Sequence, residues 1–366
     1  MTLAPAVLGK NTRNAAAPQA SMLTLRLEDT PSDLAKAAEI IRSGGLVAFP
    51  TETVYGLGTN AFDPLAAAKI YAAKGRPSDN PLIVHLASRE DVGLCVSQIP
   101  KWAGKLMDAF WPGPLTVIFE KSPAVPREVT GGQKTVALRC PAHFLARKLI
   151  RAAGTPIAAP SANLSGRPSP TSAAHVLTDL DGRIDAVFEV DPCNLGIEST
   201  IIDLSGAYPQ LLRPGSITLS MIEDVLGPGI CRGLGNTDEY PIAPGMKYTH
   251  YAPQAKVIVV KGSPEETAAH INRLILKSPL PKEKIGIFAS TETAGLYPCM
   301  NSGAKIIAAG SRKDPKVVAQ TLFDALRTFD QMGAELIYAE SFYETELGWA
   351  VMNRLEKAAG GDIIEL

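Results

Sequence analysis

The chain has 366 residues, 46% of them apolar and 20% charged, with a formal net charge of −1. That length points to two domains, and the near-neutral charge weighs against a protein that holds nucleic acid by bulk electrostatics. No apolar run approaches the ~18 residues of a membrane helix, and five scattered cysteines (Cys95, Cys140, Cys193, Cys231, Cys299) without metal or disulfide spacing read as reduced thiols of a cytoplasmic protein.

The first 27 residues carry Lys10, Arg13 and Arg26 and no acid, and Ala, Asn and Pro dominate before Met22. This stretch reads as a flexible extension, with a transit peptide or a true start at Met22 as the other readings. A helix follows over 33–43, with Leu34, Ala37, Ala38 and Ile41 on one face and Gly44-Gly45 as its stop. A strand over 46–50 enters a turn-rich loop containing Gly56 and Gly58. An Ala-rich helix over 64–73 ends in the basic loop Lys74-Gly75-Arg76-Pro77, and an apolar strand runs over 82–86. The pattern continues with a helix at 100–110, strands at 115–119 and 135–139, a helix at 143–153, and strands at 156–159, 186–190 and 199–204. Such alternation indicates an α/β or α+β sheet.

From about Pro214 to Pro253 Gly and Pro become frequent, and the segment reads as a long connector with little regular structure. It contains Pro244-Gly245-Met246-Lys247-Tyr248-Thr249-His250-Tyr251, which favours a functional lid over a bare linker. After Gln254 a smaller α/β pattern appears: strand 256–260, helix 264–276, strands 284–288 and 305–309, a long helix over 315–331, a strand at 335–338 and a helix at 348–359. We read this as a Rossmann-like accessory domain without a dinucleotide site of its own.

Several short segments carry chemistry. Gly56-Leu57-Gly58-Thr59-Asn60-Ala61 fits a loose dinucleotide fingerprint, but the strand-to-helix turn and the following acid are missing. No Walker A, HExxH or GxSxG motif is present. Lys74 and Arg76 can be a helix-end charge pair or a phosphate cradle. In an extended strand His85 points opposite to Val84 and Leu86. Ala159-Pro160-Ser161-Ala162-Asn163-Leu164-Ser165-Gly166 places hydroxyls and small residues at a strand end, where a turn or a ligand contact is equally served. Arg76, Arg139 and Arg213 add planar forks suited to phosphate and carboxylate.

PTETVYGLG at 50–58, KGRP at 74–77, NPL at 80–82 and PSANLSG at 160–166 together resemble the Sua5/YrdC family, the L-threonylcarbamoyladenylate synthases of tRNA modification. The family's KxR…SxN tetrad falls on Lys74, Arg76, Ser161 and Asn163. PGMKYTHYAP at 244–253 with a C-terminal α/β domain resembles the long Sua5 form. The resemblance implies a YrdC-like twisted mixed sheet with flanking helices over 28–220, a linker and lid over 221–254, and a Sua5-type C-terminal α/β domain over 255–366, after the extension at 1–27. It implies that L-threonine, bicarbonate and ATP are joined into threonylcarbamoyl-AMP with release of pyrophosphate. A partner tRNA threonylcarbamoyl transferase then acts on adenosine 37 of tRNAs reading ANN codons. It places Thr53, His85, Arg139, Ala159 and Ser199 on threonine, and Arg76, Asn80, Thr135, Ser161, Ser169, Arg213 and His250 on ATP. Lys74, Arg76, Ser161 and Asn163 are then catalytic. Lys247, Tyr248 or Tyr251 could share the lid role. Mg2+ is expected with ATP, with Glu52 and Glu198 the nearest acids by motif and no dedicated ligand set. An RNA-binding module and a carbamoyl-adenylate-type transferase with another acceptor are the competing functions; neither stable nucleic-acid binding nor a membrane association is expected.

Overall fold

The computed structural model describes residues 23–234, 250–297 and 303–366. Lys247, Tyr248 and most of the 244–251 segment therefore lie outside the described residues, as do 1–22 of the N-terminal stretch.

Two sheets organise the chain. The first begins with β1 (Leu25–Leu27), α1 (Pro31–Arg42), β2 (Val47–Phe49), β3 (Gly56–Asn60), α2 (Pro64–Lys74) and β4 (Ile83–His85). It continues with α3 (Lys101–Phe110), β5 (Leu115–Glu120), β6 (Thr135–Arg139), α4 (Phe144–Ala153), β7 (Ile157–Ala159) and α5 (Ala173–Leu180). Then come β8 (Ala186–Phe188), β9 (Thr200–Asp203), β10 (Gln210–Arg213) and α6 (Leu219–Leu226). The ten strands lie in the order β1-β8-β2-β3-β7-β4-β6-β5-β9-β10, with parallel and antiparallel neighbours mixed.

The strand period of two decides which side chains meet which helices. Val47 and Phe49 join Ala37, Ala38 and Ile41 of α1 and Leu145, Leu149 and Ile150 of α4 on one face. Ala48, Leu57, Val84 and Leu138 face the other way, onto Ile70 of α2, Leu106 and Met107 of α3 and Val176 of α5. Both faces of the central strands are thus covered, which is why these strands read as continuous apolar runs.

Three sequence readings are corrected. Gly56–Asn60 is a central strand, paired antiparallel with β2 and β7, where a loop was expected. Its glycines serve close packing: a Cβ on Gly58 would sit 2.6 Å from both Ile157 and Phe49. The lack of side chains to pack had hidden the strand. Lys74 closes α2 instead of opening a basic loop, and Gly75 ends the helix in the left-handed conformation (φ 61°). A Cβ there would meet nothing within 4 Å, so backbone freedom is what the position needs. Finally, α6 occupies part of what reads as a structureless connector. Its cap is Thr218, whose side chain accepts from the Met221 N–H.

The second sheet is wholly parallel, in the order β13-β12-β14-β11-β15. Its elements are β11 (Lys256–Lys261), α7 (Pro264–Lys277), β12 (Ile285–Ala289), β13 (Lys305–Ala308), α8 (Pro315–Gln331), β14 (Leu336–Glu340), α9 (Glu346–Ala359) and β15 (Ile363–Glu365). The two sheet units dock through buried arginines from α8 and α9. Arg327 pairs with Asp179 at 2.7 Å, and Arg354 pairs with Glu198 at 3.1 Å. None of the described helices is long and apolar enough to cross a membrane.

Candidate active site

A cavity opens where helices stop covering the first face of the sheet. Its floor comes from alternate residues of adjacent strands: Ile83 and His85 of β4, Arg139 of β6 and Ala159 of β7. In the β4–β6 register His85 lies beside Arg139. Thr51, Thr53, Val54 and Tyr55 form one wall, Ser161 and Arg76 a second, and Glu198, Ser199 and Arg213 a third. His250 and Tyr251 complete the lining. Tyr251 reaches it with a left-handed backbone (φ 67°), uncommon for a bulky residue, and stacks at 5.3 Å on Phe323 of α8. The C-terminal domain therefore helps to roof the cavity.

One side of this cavity is built around Arg139. Its guanidinium donates to the Thr53 hydroxyl at 2.8 Å and pairs with Glu52 at 2.8 Å. Burial pushes the Glu52 carboxyl up, but Arg139 beside it outweighs that and holds it below the usual carboxylate range. His85 is drawn down to about 3 by burial and by Arg139, so its ring is neutral and serves as a hydrogen-bonding group. Its Nδ1 lies 3.1 Å from the Ile83 carbonyl oxygen. The Ser199 hydroxyl shares a 2.7 Å hydrogen bond with Thr116.

The other side is cationic. Gly75 swings Arg76 off the end of α2, and the guanidinium donates to Asn80 Oδ1 (2.5 Å) and the Pro81 carbonyl (3.0 Å). Burial lowers Arg76 to about 10, so it remains a cation near neutrality. Arg213 donates to the Ser199 carbonyl (3.0 Å) and hydroxyl (3.2 Å), which ties the two sides together. Asn80 Nδ2 and His250 Nε2 are buried without a hydrogen-bond partner, an arrangement that a bound polar ligand would satisfy. His250 is also neutral, lowered to about 3 by burial and then by Arg76.

Nine of the residues named from sequence thus line one cavity: Thr53, Arg76, His85, Arg139, Ala159, Ser161, Ser199, Arg213 and His250. Five others do not line it. Lys74, only 2% exposed, donates to the Ser161 carbonyl at 2.5 Å and to the Asn163 carbonyl, so it holds the 161–163 loop from behind. Burial, with Arg76 adding to it, puts the Lys74 amine well below the usual lysine range. Asn163 accepts from Ser161 Oγ (2.5 Å) and donates to the Leu164 and Arg167 carbonyls. Asn80 lies behind Arg76. Ser169 donates to Glu198 Oε1. Thr135 is on the same face of β6 as Arg139 but about 13 Å along the strand, four residues at ~3.3 Å each. Thr116 and Tyr55 are site components that sequence reasoning gave no binding role, and Glu198, named there only as an acid near Mg2+, is held by Arg354 and Ser169.

The sheet, the tetrad and the C-terminal domain together invite comparison with known proteins. A family model described as "Telomere recombination", of the Sua5/YciO/YrdC type, matches residues 39–215, and one described as "Threonylcarbamoyl-AMP synthase, C-terminal domain" matches 217–360. The chain is 48% identical over 344 residues to the threonylcarbamoyl-AMP synthase of Bacillus subtilis (strain 168), covering 93% of this chain and 97% of that one. The chain belongs to the Sua5/YrdC family of threonylcarbamoyl-AMP synthases. Its two-domain arrangement is that of the long Sua5 form. It is also 48% identical to the Pyrococcus abyssi threonylcarbamoyl-AMP synthase, over 90% of this chain and 95% of that one. The crystal structure of P. abyssi Sua5 complexed with L-threonine superposes with a TM-score of 0.87 at 45% identity, over 94% of this chain and 99% of that chain. The synthase is an enzyme of the nucleotidyltransferase type.

The carboxylates of this synthase give it an acid limit. Burial pushes Glu198 up, while Arg354 pulls it down further, so like Glu52 it ends below its ordinary value. A depressed folded pKa contributes stability above the unfolded value of about 4.3, and that stability is lost as pH falls through the folded values. We expect Tm to begin falling below about pH 6.5, where His85 and His250 take up protons only in the unfolded chain, and to fall more steeply below about pH 5, where Glu52 and Glu198 add their loss. A thermal melt series from pH 7 to 3 checks this; a Tm that holds or rises on acidification contradicts the two pairings.

Proposed function

We propose that this chain condenses L-threonine with bicarbonate and ATP to form threonylcarbamoyl-AMP and pyrophosphate. The observation that carries this reading is the convergence of Arg139, Thr53, His85 and Ser199 with Arg76, Ser161 and Arg213 around one buried cavity. Arg139 takes the amino-acid carboxylate with its fork held by Thr53 and Glu52. His85, the Ala159 backbone and Ser199 take the rest of threonine. The threonine amine adds to CO2 or bicarbonate to give a carbamate, whose oxygen attacks the α-phosphate of ATP as pyrophosphate leaves.

Negative charge grows on the phosphate oxygens during that step. Arg76 and Arg213 are the cavity-lining cations assigned to the phosphates, Arg139 being taken by the carboxylate, and Lys74 sets the loop that presents Ser161 and Asn163. Asn80, Thr135 and Ser169 do not line the cavity, and their contact with the remainder of ATP is part of this proposal. Among the described residues, no group of three or more His, Cys, Asp or Glu could hold a metal ion. Glu52 and Glu198 are each engaged by an arginine. The donor set does not fit a protein-held magnesium, so Mg2+ is expected to travel with the ATP phosphates. A carbamate and a mixed anhydride hydrolyse readily, and a roof over the cavity excludes water from both. On this reading the product passes to a tRNA threonylcarbamoyl transferase acting on adenosine 37 of tRNAs that read ANN codons, and a cytoplasmic location is part of the same proposal.

Pyrophosphate release from ATP and bicarbonate, measured across the amino acids, tests the reading. Release that depends on threonine is the expected result; release with another acceptor assigns a different adenylate. His250→Ala should raise the KM for ATP by roughly tenfold, the value of one hydrogen bond to a charged group, and move that for threonine less. Equal KM values for both substrates in the variant and the wild type remove His250 from the nucleotide side.

A further inference from the structure

Arg354 is fully buried on α9 of the C-terminal domain, yet its guanidinium does most of its bonding in the other domain. Its Nε donates to Glu198 Oε2 at 3.1 Å and one terminal nitrogen donates to the Glu198 carbonyl at 3.1 Å. The other terminal nitrogen donates to the Pro214 carbonyl. Glu198 immediately precedes Ser199, and Pro214 immediately follows Arg213. One planar group therefore grips the roots of two strands, β9 and β10, at the point where each presents a substrate residue. Arg213 donates back to both the carbonyl and the hydroxyl of Ser199, and Ser169 closes on the second oxygen of Glu198. Lys357 follows one turn later on α9, drawn down to about 8 by burial and then by Arg354 and Arg213. This face of α9 is thus turned toward the cationic wall of the cavity.

We propose that Arg354 is a positioning residue of the synthase, which sets the separation of Ser199 and Arg213 and so makes the C-terminal domain part of the active site. The inference rests on the assignment of Ser199 to threonine and Arg213 to ATP. The carbamate must reach the α-phosphate from the threonine side, and bimolecular steps of this kind depend on reacting atoms held about 3–3.5 Å apart. A displacement of the two walls relative to each other loosens the hold on threonine and on ATP at once, which the two KM values read. Arg354 touches neither substrate; it fixes the two residues that do.

The test uses the full-length enzyme and separates KM from kcat, because loss of folded enzyme lowers kcat alone. Arg354→Met should raise the KM values for threonine and for ATP together, each by roughly tenfold. Arg354→Lys, which keeps the charge but can reach fewer of the three acceptors, should recover part of the loss and decides the matter if the Met variant does not fold. Arg312→Met is the control. It breaks a comparable buried pair, with Glu340 at 2.7 Å, wholly inside the C-terminal domain, and should lower Tm with both KM values unchanged. Ser199→Ala and Arg213→Ala run alongside. If they raise KM while both Arg354 variants keep wild-type KM values, Arg354 only docks the domain and the proposal is overturned. If Arg312→Met shifts KM as much as Arg354→Met, the effect belongs to the domain as a whole and the proposal is likewise overturned. If Ser199→Ala and Arg213→Ala leave KM unchanged, the substrate assignments fail first and the proposal with them.

Discussion

Arg76→Ala should lower threonylcarbamoyl-AMP formation by roughly 10²–10³-fold, the usual effect of removing one fixed donor from a developing anion, with little change in Tm. Lys74→Ala should lose at least as much activity but for a second reason, and it should also lose stability. Arg76 lines the cavity, and its bonds to Asn80 and Pro81 are local to one turn. Lys74 is buried beneath the 161–163 loop and satisfies two of its carbonyl oxygens. Leaving buried acceptors unpaired costs about 1–3 kcal/mol, and the loop that carries Ser161 and Asn163 would move with them. Product formation by chromatography, run beside chemical denaturation of both variants, separates the two. Near-normal turnover in Arg76→Ala would sink its assignment. An unchanged unfolding free energy in Lys74→Ala would sink the loop-holding role.

The second large effect concerns Arg139 and Glu52. Arg139→Gln should abolish detectable threonine binding and also destabilise the fold by about 3–5 kcal/mol, because it strands a buried carboxylate. The double variant Arg139→Gln with Glu52→Gln removes both charges. It should regain most of the stability while threonine binding stays lost, since the amide cannot replace a charged fork for a carboxylate. Calorimetric titration of threonine and denaturant unfolding on the same three proteins read the two quantities independently. Threonine affinity returning in the double variant would show that Arg139 acts only through stability.

These contrasts separate what was legible in the sequence from what was not. Strand periodicity alone set His85 opposite Val84 and Leu86, which join the helix-covered core; that the other face is open at this point is a feature of the structure. The strand at 135–139 was likewise legible, because a short run of β-branched and apolar residues, Thr135 to Leu138, precedes Arg139. β3 was not, since Gly56 and Gly58 are chosen for the closeness of Phe49 on the paired strand β2 and, at Gly58, of Ile157 on β7, far along the chain. Arg354 carries a faint signal. It lies on the same helical face as Ala350 and Val351, so a charge sits where α9 is otherwise apolar. Nothing in the local sequence names its partner, 156 residues away.

By itself, then, the sequence determined the residue types that the chemistry needs and the short segments that carry them. The tetrad at Lys74, Arg76, Ser161 and Asn163, the strand that carries Arg139 and the alternation of the two α/β patterns are properties of local order along the chain. Only the tertiary structure decided their roles relative to one another. It set Arg76 at the cavity wall and Lys74 behind the loop, coupled Arg139 to Glu52, and brought α9 against the roots of β9 and β10. The physical reason is that burial and charge pairing depend on what surrounds a group in space. A lysine and an arginine two residues apart fall on opposite sides of a helix end once Gly75 turns the chain, and each then answers to a different set of neighbours.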